Sequence, residues 1–256
     1  MKKIIAMANQ KGGVGKTTTA VNLAAALAEA ELRVLAVDFD PQGNLSSGLG
    51  IEKDETVSSV YELIMGHCEI ADAIQRSYSP YLDIIPSNIN LSGAEIELLD
   101  MEKREARLKD CLNLVADRYD FILIDCPPSL SLLTINALTA ATDVLIPIQC
   151  EYYAMEGLNQ MLKSIQLIRK KLNPELRING IVFTMYDARN NLSQQVIDSV
   201  REALHEYIYE TVVSRNVRVA EAPSYGMPVT EYDPKSNGAE NYRKLAAELL
   251  SREDGL

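Results

Sequence analysis

Asn9-Gln10-Lys11-Gly12-Gly13-Val14-Gly15-Lys16-Thr17-Thr18-Thr19 follows directly on the apolar run Ile4-Ile5-Ala6-Met7-Ala8. The glycines let successive backbone N–H groups point into one concavity, and the helix that opens there turns its positive end toward it. Gly12, Gly13, Val14, Gly15, Lys16, Thr17 and Thr18 therefore read as a polyphosphate cradle, in which Lys16 reaches the terminal phosphates and the Thr17 hydroxyl ligates Mg²⁺. The pattern G-x-x-x-x-G-K-[ST] asks for glycine where this chain has Gln10, and the chain adds Lys11. A second ammonium beside Lys16 is repelled by it unless both face one polyanion. Lys11 is either placed for that purpose or a solvated loop lysine.

Working outward, buried-strand patterns recur at Lys3–Ala8, Arg33–Asp38, Leu82–Pro86, Phe121–Asp125, Val144–Ile148 and Ile178–Thr184. Helical patterns separate them: one through Ala20–Ala28, one from Ser92 toward Ala116 opened by a Ser92/Glu95 capping box, then Leu130–Ala141, Met155–Lys171, Leu192–Tyr209 and Gly238–Leu250. This alternation predicts an α/β fold with a doubly wound, mostly parallel sheet, and ligand loops at the carboxyl ends of its strands. Asp38, Asp40 and Asp125 then gather on the edge that carries the glycine-rich turn, where carboxylates can hold Mg²⁺ and position an attacking water. Asp38 bears on the metal shell or fixes the loop. Pro127-Pro128 makes the turn after Asp125 stiff, and it is either a rigid turn or a segment responsive to a γ-phosphate.

At 256 residues with 47% hydrophobic content and no low-complexity linker, the chain reads as one domain spanning 1–256. It has no apolar run long enough to span a bilayer and no signal-peptide pattern, so a cytoplasmic location is expected. Cys68, Cys111, Cys126 and Cys150 lie far apart, without C-x-x-C or paired histidines, which disfavours disulfide and zinc readings. The net charge of −11 argues against nucleic acid as a partner, whereas a local basic patch can still bind it.

The glycine-rich turn resembles the deviant Walker A box of the ParA/MinD ATPases, and within them the short chromosomal ParA proteins, often called Soj. Asp38-Phe39-Asp40-Pro41-Gln42-Gly43-Asn44, Phe121–Ser129, Gln149-Cys150-Glu151-Tyr152-Tyr153-Ala154, Arg215-Asn216-Val217-Arg218 and Glu221-Ala222-Pro223-Ser224 are similar to that group's signatures, in the same order over nearly the whole chain. The resemblance implies a P-loop NTPase fold, ATP and Mg²⁺ as cofactors, and slow, partner-stimulated ATP hydrolysis. It assigns Asp40 to the switch I position tied to hydrolysis, Asp125 to Walker B, and Thr17, Asp40 and Asp125 to the metal. Lys11, Lys16 and Asp40 become the catalytic set, with Lys11 reaching the phosphates of a second subunit in an ATP-dependent homodimer. The base is expected near Ser214 and Asn216, although Ser214 stands where the group commonly has proline.

The resemblance further implies non-specific binding to double-stranded DNA through Arg189 and Arg218, a ParB-type centromere-binding partner, a nucleoid-associated location, and a role in chromosome or plasmid partition. From Tyr186 to Lys235, however, five basic residues face eight acidic ones, and relatives often carry more arginine in the stretch matching Asp233–Gly238, where this chain has Asn237. A MinD-like positioning ATPase acting on a membrane or protein scaffold is the alternative; the short, acidic tail Ala246–Leu256 argues against membrane binding. The chain starts at its first strand, so the helix-turn-helix domain of longer plasmid ParA proteins is not expected. A small-molecule ligase on the same fold is the third reading.

Overall fold

The computed structural model describes residues 3–52, 57–204 and 207–254. Among the described residues, seven strands form one sheet: β1 (Lys3–Met7), β2 (Val34–Asp38), β3 (Gln75–Arg76), β4 (Leu82–Ile85), β5 (Phe121–Asp125), β6 (Asp143–Gln149) and β7 (Arg177–Thr184). Their order is β3-β4-β2-β5-β1-β6-β7, parallel except for β3. The expected strands are all present with small shifts at their ends, and Pro86 lies outside β4 because proline has no amide to donate to the ladder. The two-residue β3 has too short a pattern to read from the sequence.

Alternate residues of the central strands serve two cores, as strand geometry requires. Ile4 and Ala6 of β1 face one apolar layer, and Ile5 and Met7 face the other. The second layer is closed by α1 (Lys16–Glu29) and α12 (Asn237–Asp254). The alanine-rich α1 packs closely on the sheet, and its buried Asn22 donates to Thr18 O at 2.7 Å while accepting the Val229 amide at 2.7 Å. Short helices α2 (Asn44–Gly48), α3 (Val60–Met65) and α4 (Ile70–Ala73) fill the stretch between β2 and β3.

The helix expected from Ser92 toward Ala116 is broken: α5 spans Leu91–Glu97 and α6 spans Arg107–Asn113. Ser92 and Glu95 form no capping box, since the N-cap is Asn90 and no side chain caps it. Capping boxes stand instead at α3, where the Ser59 amide donates to Glu62 Oε2 at 2.8 Å and Ser59 Oγ accepts the Tyr61 amide at 3.2 Å, and at α4, where the Glu69 amide donates to Asp72 Oδ2 at 3.3 Å. Beyond β5 come α7 (Leu132–Ala140), α8 (Ala154–Lys171) and α9 (Asn191–Leu204). The helix expected to reach Tyr209 does not: Tyr209 donates its amide to Ile181 O at 3.0 Å, and residues 205–206 of that expectation lie outside the described residues. Two short helices, α10 (Val217–Glu221) and α11 (Val229–Tyr232), precede α12.

Candidate nucleotide site

The phosphate loop leaves the carboxyl end of β1, near the centre of the sheet, where the connections diverge to both sides and ligands collect in such folds. Gly13 (φ 73°) and Gly15 (φ 85°) adopt left-handed conformations that only glycine enters readily. No side chain caps α1 and its first turn holds no acidic residue, so its orphan amides are left for an anion. Neighbouring elements brace the loop. The Thr184 hydroxyl, ending β7, reaches Val14 O at 2.8 Å and Ile148 O at 3.1 Å, and Asn9 Nδ2 donates to Pro147 O at 2.8 Å. Gln10, standing where the common motif has glycine, donates to Ser164 Oγ of α8 at 2.8 Å.

The two lysines occupy different surroundings. Lys16 is 6% exposed and donates to Lys11 O at 3.2 Å; burial lowers its pKa, while Asp125, Cys126 and Asp40 draw it back up. Lys11 projects to the surface and pairs with Glu151 Oε2 at 2.7 Å.

Asp125 and Asp38 end adjacent strands in register. Asp125 is fully buried, and neither carboxylate oxygen has a hydrogen-bond partner. Burial raises its pKa well above the carboxylate range and Asp38 adds to this; the Thr17 hydroxyl opposes it from outside hydrogen-bond geometry, Asp40 raises it further and Lys16 lowers it. An orphaned carboxylate beside a phosphate cradle fits Mg²⁺, which takes oxygens from one or two carboxylates and from substrate phosphates. Thr17, Asp40 and Asp125 are the residues that would hold it.

Asp38 serves the loop. Its Oδ2 accepts from the Ser46 amide at 2.8 Å and the Ser46 hydroxyl at 2.6 Å, and Ser46 Oγ accepts the Ser87 amide at 3.1 Å, so one carboxylate ties β2, α2 and the end of β4 together. Burial outweighs these bonds and pushes its pKa up to about 6. Asp40 is 8% exposed, and its Oδ1 accepts the Gln42 amide at 3.0 Å. The Pro127-Pro128 segment abuts the phosphate loop, because a Cβ at Gly12 would lie 3.8 Å from Pro128 Cβ.

Beyond β7 a cavity of about 680 Å³ is lined by Tyr186, Asp187, Arg189, Ser214, Asn216 and Val217 among others. Ser214 and Asn216 are thus brought together on the edge that carries the phosphate loop. Asn216 also caps α10, its Oδ1 accepting the Arg218 amide at 2.8 Å, and the Ser214 amide donates to Asn241 Oδ1 at 3.1 Å. Arg189 is exposed yet bound two-pronged to Asp187, at 2.9 and 2.8 Å, which holds the Asp187 pKa down to about 2. Arg218 pairs with Glu221 at 3.0 Å and Asp233 at 3.3 Å. Sequence reasoning assigned no role to Asn9, Thr184, Ser46 or Glu151. Glu151 stood in the quoted Gln149–Ala154 signature, and its pairing with Lys11 is visible only in three dimensions.

A parallel sheet with an uncapped, glycine-entered helix after β1 and a buried orphan carboxylate after a neighbouring strand defines a P-loop nucleoside triphosphatase. The family described as AAA domain matches residues 2–178. The chain is 55% identical to the "Sporulation initiation inhibitor protein Soj" of Bacillus subtilis (strain 168), over 98% of this chain and 99% of that one. It is 51% identical to the "Chromosome partitioning protein ParA" of Myxococcus xanthus (strain DK1622), over 98% of this chain and 89% of that one. A solved Mycobacterium smegmatis structure, described as "Cobyrinic Acid a,c-diamide synthase" with bound ATP analog and magnesium, superposes with a TM-score of 0.85 at 38% identity, covering 99% of this chain and 96% of that one. The chain belongs to the ParA/MinD superfamily of P-loop ATPases. Among the described residues, no helix is long and apolar enough to cross a membrane.

Proposed function

We propose that this chain is a partition ATPase of the short ParA type, cycling between an ADP-bound monomer and an ATP-bound dimer that holds double-stranded DNA without sequence preference. A ParB-type centromere-binding protein stimulates its slow hydrolysis, and the protein works in the cytoplasm on the nucleoid. The observation that carries this reading is the separation of the two lysines. Lys16 is buried beside Asp125 and Asp40, whereas Lys11 stands at the surface, available to a second copy.

Its cofactors are ATP and Mg²⁺. Bound Mg²⁺ supplies neutralisation of the charge on the phosphate oxygens. The amides of the Gly12–Thr18 loop and the N-terminus of α1 bind the phosphates, and Lys16 meets the charge that builds on them. Asp40 orients the attacking water, and Lys11 of the facing subunit stabilises the transition state in trans. The base lies in the cavity beside Ser214 and Asn216. Arg189 and Arg218 contact DNA phosphates by exchanging their present carboxylate partners for them, which accounts for binding by a protein of net charge −11.

The synthase name borne by the Mycobacterium smegmatis structure favours a second reading, a small-molecule acceptor on the same fold. The 55% and 51% identities to proteins named for sporulation control and chromosome partitioning weigh more. Duplex-DNA titrations decide between them. With a non-hydrolysed ATP analogue the protein should bind, with ADP it should not, and Arg218→Ala should flatten the log K against log salt slope by about 1.8, about 0.9 for each of two contacts per dimer. No binding at low salt, or equal slopes, removes the DNA assignment.

A further inference from the structure

The Lys11 ammonium is held by a carboxylate of its own chain, and the geometry around that pair restricts what can move. Lys11 and Glu151 side chains are 34% and 47% exposed at a separation of 2.7 Å. The Lys11 backbone is fixed, since its amide donates to Asn9 Oδ1 at 3.0 Å, Asn9 is bonded to Pro147 O and Gln10 to Ser164. The first turns of α8 lie against it, a Cβ at Gly157 coming 4.0 Å from Lys11 Cβ. On the other side, the Glu151 amide donates to Gln149 O at 2.8 Å in the turn between β6 and α8. The pair can therefore part by rotation of its two side chains, with these backbone contacts kept. Beside them Tyr152 and Tyr153 are 77% and 63% exposed, packed edge to face at 5.2 Å, so this turn already presents apolar surface to a partner.

We propose that Glu151 is a positioning residue that parks Lys11 in cis in the nucleotide-free monomer, so that dimer closure exchanges this one carboxylate for the polyphosphate of the facing subunit. The inference rests on the trans role of Lys11 given above. A triphosphate outbids a single carboxylate for the ammonium by its greater charge, and a diphosphate does so less, which makes the exchange sensitive to the γ-phosphate. An exposed ion pair biases such an equilibrium by about twofold to fivefold, and a symmetric dimer releases two of them. Glu151→Gln should therefore lower the dimer dissociation constant by about 4-fold to 25-fold.

Sedimentation equilibrium with a non-hydrolysed ATP analogue and Mg²⁺ reads this directly, and a half-exposed position tolerates the substitution. An unchanged or weaker dimer of Glu151→Gln overturns the proposal while leaving the trans role of Lys11 standing. The same substitution in a Lys11→Ala background should leave the affinity for a fluorescent ATP analogue unchanged. A matching gain there shows the carboxylate acting as bare charge near the phosphates, which also overturns the proposal. ATP-dependent dimers of Lys11→Ala itself overturn both readings.

Discussion

The phosphate loop and the segment from Tyr186 to Asp233 are the two regions proposed to meet anions, and they are built in opposite ways. In the loop the anion site consists of backbone amides whose directions are set by Gly13 and Gly15 and locked by Asn9, Gln10 and Thr184. In the later segment the site proposed for DNA phosphates consists of exposed guanidinium groups already paired with Asp187, Glu221 and Asp233. The first is preorganised and costs little to fill; the second must surrender an ion pair for every phosphate it takes. Nucleotide binding should therefore be strong and insensitive to salt, and DNA binding weak and steeply salt-dependent.

The sharpest way to test the preorganised half is to remove the proposed water-positioning group while leaving the cradle whole. Asp40→Ala should bind ATP and dimerise yet hydrolyse about 10²-fold to 10⁴-fold more slowly. Phosphate release and sizing measured on the same sample check this; normal turnover moves the role away from Asp40. A second test concerns the buried carboxylates. Folded Asp38 titrates at about 6, against about 3.9 for an unfolded aspartate, so the folded state holds the extra proton between those values and this residue's contribution to stability falls as pH rises through them. In metal-free protein, the stability difference between Asp38→Asn and wild type should shift toward the variant by up to about 3 kcal/mol from pH 4 to pH 7. Urea midpoints across that range would contradict the account if the difference stayed flat. The smallest effect probes the occupied half: Asp187→Ala frees Arg189 and should tighten duplex binding by about twofold to fivefold at low salt. Unchanged affinity would show that Arg189 does not meet DNA.

The same contrast explains what could be read from the sequence. Backbone geometry writes itself into residue types, so the glycines at 12, 13 and 15 and the alternation of apolar runs led to the loop, the sheet and the helix behind it. The broken helix between Ser92 and Ala116 was not legible, because α5 and α6 each meet the core through buried residues such as Leu91 and Leu108, and a continuous pattern in the chain does not reveal a change of direction. Asp38 was placed on the correct edge, but its choice between metal and loop depended on Ser46, eight residues away, and on Ser87 across the sheet. Long-range pairs such as Lys11 with Glu151 and Gln10 with Ser164 have no local signature at all.

The central claim is that Lys11, outside the buried part of its own phosphate site, joins two subunits through ATP. Light scattering of wild type and Lys11→Ala with ATP and Mg²⁺ tests it most directly. The account predicts a dimer for wild type and a nucleotide-binding monomer for the variant; a stable ATP-dependent dimer of Lys11→Ala would contradict it.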